Sequence, residues 1–228
     1  MIVSNICRPG IKNLQMVTKQ NFIKFSTASP SQKFSNRNRK NSRIVDYVQV
    51  EGEMLYGICP VAMALESGQR TFHRIYYNDP SKRTKAIVEL AKSRGIPCEK
   101  SDRQILNTLS KHSTKEVGVH QGVCADVEPL FPKIFNISDL EAEAGQSGKL
   151  YLFLCGLSDP FNLGAVLRSA YFLGVDRVLI GSFKTNSAPL SPVVSKASSG
   201  VLEIFTPEIV RWPEQFLEQL QTNGEDFF

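Results

Sequence analysis

Residues 151–180 read as a strand, a helix and a second strand in close succession, and that order dictates a parallel sheet. Tyr151–Cys155 (YLFLC) is apolar throughout, as a strand covered on both faces must be. Asp159 and Pro160 break it, and Asn162 can accept backbone N–H bonds at a helix start. From Gly164 onward Ala165, Val166, Leu167, Ala170, Phe172 and Leu173 recur at helical spacing, and Gly174 precedes a second apolar strand, Arg177–Ile180 (RVLI). Parallel strands require a crossover of this kind. Arg168 stands out, because an arginine in an apolar helix needs a carboxylate, a phosphate or the surface.

Charge is distributed unevenly. The 228 residues carry a formal +5, yet residues 1–45 hold nine Lys or Arg and no acid. The rest holds 18 basic and 22 acidic side chains, so charge alone does not point to a nucleic-acid partner. Residues 1–45 have the composition of a mitochondrial transit peptide: basic, acid-free and rich in serine. Ile11, Leu14, Val17 and Thr18 among Lys12 and Lys19 allow a short amphipathic helix there. A disordered basic tail that touches RNA is the alternative. No stretch approaches a membrane span. The five cysteines show neither C-x-x-C pairing nor metal-ligand spacing, which suits buried, reduced thiols. Cys155 lacks a nearby histidine, so packing is favoured over nucleophilic chemistry.

After the leader, residues 46–130 alternate short helices and strands. Pro60–Leu65 is a helix stopped by Gly68, and Phe72–Tyr77 is a strand. Ala86, Ile87, Leu90 and Ala91 form a helical stripe closed by Gly95; Pro97 opens an extended piece; Ile105, Leu106 and Leu109 mark another helix. Gly122–Val127 is the last strand. Residues 131–148, with Pro132, Gly145, Gly148 and several acids, read as an exposed linker. From residue 149 to 228 the chain forms the β-α-β unit, a strand at Leu202–Phe205 and a helix at Pro213–Leu220. Glu203 is read as a surface acid on that strand. Arg70, His73 and Arg74 offer a modest basic patch.

Asn162, Gly164, Arg168 and Ala170 together match Asn-x-Gly-(x)3-Arg-x-Ala without a gap. This run resembles the first motif of the SpoU family of RNA ribose 2′-O-methyltransferases. His120-Gln121-Gly122-Val123 is similar to the end of that family's small substrate-binding domain, and Ser195-Lys196-Ala197-Ser198-Ser199-Gly200 to its Ser/Gly-rich turn. The resemblance covers roughly residues 52–223. It implies an α/β fold in which a small sandwich like ribosomal protein L30 precedes the front half of a SPOUT (α/β-knot) parallel-sheet domain. It also implies S-adenosylmethionine as methyl donor and a guanosine ribose of mitochondrial large-subunit rRNA as substrate, with the matrix as location and homodimers among full-length members. In the family the arginine matching Arg168 activates the 2′-hydroxyl and the asparagine matching Asn162 supports that site. A guanidinium hold on the adjacent phosphate is the physically easier role.

Lys196 and Ser198 in the turn, with His120 and Gln121, are the expected RNA contacts. Each has a plainer reading: Arg168 pairs with Asp159 or Asp176, Asn162 only caps its helix, and Ser195–Gly200 is a solvated loop. Gly164 suits a close approach between helices. The family's later Gly-Glu-x-x-Gly and Ile-Pro/Ser-Leu-Asn motifs, which tie the knot and form most of the cofactor pocket, have no counterpart through Phe228. The expectation is a truncated product with its cofactor contacts beyond residue 228, poor cofactor binding and unpaired apolar sheet edges. Two other functions stay open: a non-catalytic RNA-binding module, and a small-molecule α/β enzyme, which lacks a Gly-x-Gly-x-x-Gly turn.

Overall fold

The computed structural model describes residues 2–5, 14–16, 50–78, 81–111, 117–139, 149–182 and 186–222. An antiparallel pair opens the chain, β1 (Ile2–Asn5) and β2 (Leu14–Met16). The next segment builds its own sheet from β3 (Glu53–Tyr56), α1 (Ile58–Ser67), β4 (Phe72–Tyr77), α2 (Lys82–Ser93), β5 (Cys98–Lys100), α3 (Arg103–Leu109) and β6 (Val123–Val127). Its order is β3-β6-β4-β5, with only β4 and β5 parallel. β6 is buried along its whole length. Its period-2 alternation sends Val123, Ala125 and Val127 to the face covered by α1 and α2, while Cys124 packs with Leu106 of α3. Both faces of the sheet are therefore covered, as the α/β sandwich expectation requires. Gly68 ends α1 in the left-handed conformation at φ 65°.

The second sheet is made by β7 (Leu150–Leu154), α4 (Pro160–Phe172), β8 (Arg177–Gly181), α5 (Pro192–Ala197), a 3₁₀ turn (Val201–Glu203), β9 (Glu208–Val210) and α6 (Pro213–Thr222). β7, β8 and β9 are parallel, and β1 adds antiparallel to β7, giving the order β2-β1-β7-β8-β9. Leu152 and Leu154 face Leu163 and Leu167 of α4, while Tyr151 and Phe153 face Phe216 and Leu220 of α6. Each side chain buried in this way contributes about 1.5–3 kcal/mol relative to exposure.

Four expectations are corrected. β7 and β8 are not unpaired edges, because β1 and β9 flank them. Leu14–Met16 is a strand, not part of a helix; most of the basic leader, and the transit-peptide reading with it, lies outside the described residues. The linker is not uniformly exposed: Phe135 is 2% exposed, stacks edge-on with Phe216 at 6.0 Å, and its N–H donates to Ile209 O at 2.9 Å. One aromatic residue is enough to pull this stretch into the core, whatever its proline and acid content. Finally, Leu202–Phe205 is no strand. Gly200, at φ 86°, starts a 3₁₀ turn whose Val201, Leu202 and Glu203 are all buried.

That turn carries the seam between the two sheets. Glu203, expected on the surface, is 0% exposed. It accepts from Arg70 Nε at 2.6 Å and Nη2 at 3.1 Å, and from Ser195 Oγ at 2.7 Å. The other edge of the Arg70 guanidinium reaches Glu53 and, at 3.0 Å, the Glu128 carbonyl. Burial alone lowers an arginine's pKa, but the bonds and charges of Glu203 and Glu53 outweigh it and raise Arg70 above its ordinary value. Burial pushes the Glu53 carboxyl up. Thr206 adds a hydroxyl bond to Gln69 Oε1 at 3.1 Å. The expected basic patch dissolves accordingly. Arg70 is internal, His73 lies 3.0 Å from Glu128 and 3.5 Å from Glu51, and Arg74 donates to Glu99 at 3.2 Å.

Two stability predictions follow from this packing. Arg70→Ala or Glu203→Ala leaves a buried charge without its partner and should cost about 3–5 kcal/mol in urea unfolding. Arg70→Met with Glu203→Leu should recover much of that loss. Gly164→Ala would place a methyl 2.8 Å from Val194 O and 2.9 Å from Ser198 N, both rigid backbone. The overpacking term of about 1–3 kcal/mol outweighs the helix-propensity gain, so the unfolding midpoint should fall.

Candidate functional site

α4 is capped by Asp159, whose Oδ1 accepts from Phe161 N at 2.9 Å, with Pro160 at its first position. Leu163, Gly164, Leu167 and Ala170 form its buried face. Without a side chain at Gly164, α4 lies directly on α5, with Val194, Ala197 and Ser198 against it. α5 then closes in a tight turn: Ser199 N donates to Lys196 O at 3.1 Å and Gly200 N to Ser195 O at 2.8 Å. Ser199 sits at φ 57°, a left-handed conformation that costs a non-glycine residue about 1–2 kcal/mol. It places the Ser199 hydroxyl where Arg168 Nη1 donates to it at 3.2 Å.

Arg168 is exposed, and no carboxylate among the described residues pairs with it. The two acids that could have claimed it serve the backbone instead. Asp159 caps α4, and Asp176 Oδ2 accepts from Leu150 N at 2.7 Å. Most of the guanidinium's donors therefore remain available.

Lys196 lies one turn before Ser199. Its Nζ donates to Gln121 Oε1 at 2.9 Å, and the same oxygen accepts from Ile58 N at 3.2 Å. Gln121 holds this position from a left-handed backbone at φ 54°. Gly57, at φ 100°, leaves room for the lysine, since a Cβ there would stand 2.5 Å from Nζ. Burial lowers the Lys196 pKa from its ordinary value. His120 is buried beside them. Gly122 N donates to its Nδ1 at 3.0 Å, so Nε2 carries the hydrogen and donates to Asn107 Oδ1 at 2.9 Å. Burial, then the charges of Arg103 and Lys196, hold its pKa below the usual value.

The structure thus brings together Arg168 with Ser199, and Lys196 with Gln121 and His120, on the two ends of one turn. Two expected site residues stand apart. Ser198 is 0% exposed; its hydroxyl donates to Ser195 O at 3.0 Å and accepts from Leu202 N at 3.2 Å. It closes the turn from inside and has no hydroxyl to offer a ligand. Asn162 is exposed at the third position of α4 rather than at its cap. It precedes Arg168 by six residues, roughly 9 Å along the axis and about 120° around it, so the two do not share a helix face. Ser199 went unrecognised within the Ser-rich run because only the backbone geometry of the turn separates it from Ser198. Arg103 and Asn107 carried no sequence signal.

Among the described residues no group of acids, histidines and cysteines is arranged to hold a metal, and no helix is long and apolar enough to cross a membrane. Cys124 is the buried thiol that composition led one to expect, and burial pushes its pKa up to about 12. Cys155 is exposed rather than packed, as is Cys59.

Comparison with known proteins bears on the fold and the family. A family model for RNA 2′-O ribose methyltransferase substrate binding matches residues 54–133, and the SpoU rRNA methylase family model matches residues 149–228. Human mitochondrial rRNA methyltransferase 1 is 38% identical over 157 residues, covering 67% of this chain and 42% of the relative. The 23S rRNA (guanosine-2′-O-)-methyltransferase RlmB of Pseudomonas aeruginosa is 32% identical over 176 residues, covering 75% of this chain and 67% of the relative. The chain therefore spans less than half the length of the human relative. The crystal structure of the SpoU methyltransferase AviRb from Streptomyces viridochromogenes superposes with a TM-score of 0.53 at 19% identity, covering 75% of this chain and 58% of that one. Its complex with the cofactor AdoMet gives 0.52. At that identity the likeness is one of fold. With the Arg168 motif on α4, both halves of the chain matched and the bacterial relative covered over two thirds of its length, this chain belongs to the SpoU family of RNA 2′-O ribose methyltransferases.

Proposed function

We propose that this chain carries the RNA-facing part of an S-adenosylmethionine-dependent enzyme that methylates a ribose 2′-hydroxyl, on a guanosine of mitochondrial large-subunit rRNA. The observation that carries the reading is the state of its cations. Arg168 and Lys196 are held by neutral partners, a serine hydroxyl at 3.2 Å and a glutamine carbonyl at 2.9 Å. Arg70, Arg74 and Arg177 are instead spent on carboxylates. A cation held in place by a neutral group keeps its charge for a phosphate. The names of the mitochondrial and bacterial relatives supply the rRNA, the guanosine and the compartment.

Such an enzyme would move a methyl group from a sulfonium donor to the ribose 2′-oxygen, leaving the donor as a thioether and passing the hydroxyl proton to water. S-adenosylmethionine supplies the electrophilic methyl group when bound. The residues around Arg168 are a guanidinium, a hydroxyl and an open helix face. They do not form the enclosed, largely apolar slot that an adenosyl group needs, and we assign them to the RNA. An arginine stays protonated wherever RNA is stable, so Arg168 acts as a hydrogen-bonding cation rather than as a base. It fixes the phosphate beside the target ribose and stabilises charge developing on the 2′-oxygen. Ser199 limits the side chain's rotamers and so reduces the entropy lost on binding. Lys196 anchors the neighbouring phosphate.

Methyl transfer from labelled S-adenosylmethionine to large-subunit rRNA, measured beside filter binding of the same RNA, tests this reading. Arg168→Ala should lower transfer by about 10²–10³-fold, as loss of one charge-stabilising donor does, while RNA affinity stays within about threefold. Lys196→Gln should weaken binding and reduce its salt slope by about one. An Arg168→Ala change that lowers RNA affinity and methyl transfer by the same factor would overturn the catalytic reading and leave a non-catalytic RNA-binding module.

A further inference from the structure

The small domain holds a cavity of about 500 Å³ next to the seam, lined among others by Asn78, Arg103, Asn107, Val119, His120 and Gln121. That volume falls in the roughly 300–1,000 Å³ range of small-ligand sites. Its hydrogen-bonding character is set by what its residues have already spent. Because Gly122 N donates into His120 Nδ1, the ring must donate from Nε2, and that proton occupies Asn107 Oδ1. The Asn107 amide then has its NH₂ group left. Gln121 Oε1 is occupied by Lys196 Nζ and Ile58 N, so this amide too retains its NH₂. Arg103 is exposed and has no carboxylate partner among the described residues. Among the described residues no Asp or Glu lines the cavity, and Val119, 68% exposed, adds an apolar surface.

Three unspent donor groups, one of them cationic, beside an apolar side chain and with no acid among the described lining residues, select for an anionic, acceptor-rich and partly flat ligand. We propose that this cavity takes one unpaired RNA nucleotide, its phosphate on Arg103, its base over Val119 and its carbonyl edge toward the amides of Asn107 and Gln121. The inference rests on the RNA substrate proposed above and adds a base-reading site separate from Arg168. Guanine through O6 and N7, or uracil through its carbonyls, fits a set of donors; adenine presents an amino group where acceptors are needed. Double-stranded RNA does not fit, since its base edges are paired. Gln121 belongs to both places: it lines the cavity and holds Lys196, which lies three residues before Ser199. A strand leaving the cavity therefore passes Lys196 before it reaches Arg168.

The test is fluorescence anisotropy of the full chain with labelled twelve-nucleotide oligouridylate, oligoadenylate and a duplex of the same length, with urea unfolding as the check on folding. Val119→Glu and Arg103→Gln alter exposed side chains and should leave the unfolding midpoint unchanged. Oligouridylate should bind about five- to tenfold more tightly than oligoadenylate. Val119→Glu should weaken oligouridylate binding about tenfold and abolish that preference, Arg103→Gln should weaken it severalfold, and duplex binding should not move. Two results overturn the cavity while leaving the RNA reading intact. In one, Lys196→Gln weakens binding but both cavity variants behave like the unaltered chain. In the other, the cavity variants weaken all three RNAs equally, so that charge alone is at work. If no variant, Lys196→Gln included, changes any affinity, the RNA reading itself falls.

Discussion

The buried pair between Arg70 and Glu203 is the constraint on which the rest of the molecule depends. The two residues are 133 positions apart, both side chains are 0% exposed, and they meet through two nitrogens of one guanidinium. Removing two charges from water costs several kcal/mol per ion unless the geometry is good and the remaining polar atoms are satisfied. Here Ser195 completes the Glu203 carboxylate, and Glu53 and the Glu128 carbonyl complete Arg70. The planar fork of arginine tolerates one relative placement of its partners, so the pair sets register more than it adds stability. It fixes the first sheet against the turn that ends α5.

Everything assigned to RNA hangs on that turn. Ser195, on the same turn of chain as Lys196, is the residue that bonds Glu203. Ser198 closes the turn from inside, Ser199 accepts from Arg168, and Gly200 abuts the backbone of Cys59 in α1, where a Cβ would stand 2.8 Å from its carbonyl oxygen. A run of serines that looks like a flexible loop is thus divided by burial: Ser195 and Ser198 are structural, and Ser199 faces the arginine. Left-handed backbone at Gln121 and Ser199 marks the two residues that hold the free cations. Strain of this kind persists only where the surroundings enforce it, and the buried ion pair together with the Gly164 contact supplies that enforcement.

Local chemistry made some of this legible in the sequence and left the rest hidden. Phe72–Tyr77, the Gly68 stop and the start of α6 at Pro213 were readable because hydrophobic period and turn residues act over a few positions. The contiguous Asn162–Ala170 motif sits on α4 as expected. Asp159 rather than Asn162 is the cap because Pro160 already occupies the first helical position. Glu203 could not be placed from its neighbours. An alternating pattern with one acid reads as a strand edge, and only a partner 133 positions away in the chain makes burial of that acid possible. Phe135 shows the converse, an isolated aromatic that outweighs the polar composition around it.

The same distinction separates functional from structural cations here. Side-chain type does not do it, since Arg70, Arg74 and Arg168 are one residue type. Partner type does. An arginine bonded to a carboxylate has its field cancelled within a few ångströms, whereas one bonded to a hydroxyl or an amide is oriented without being neutralised. The protein body has more acids than bases, so an RNA cannot be drawn to it by net charge. It must instead meet the few positive groups that neutral partners hold in place. Those groups, Arg168 and Lys196, meet at the end of α5, next to the turn that the buried pair holds against the first sheet.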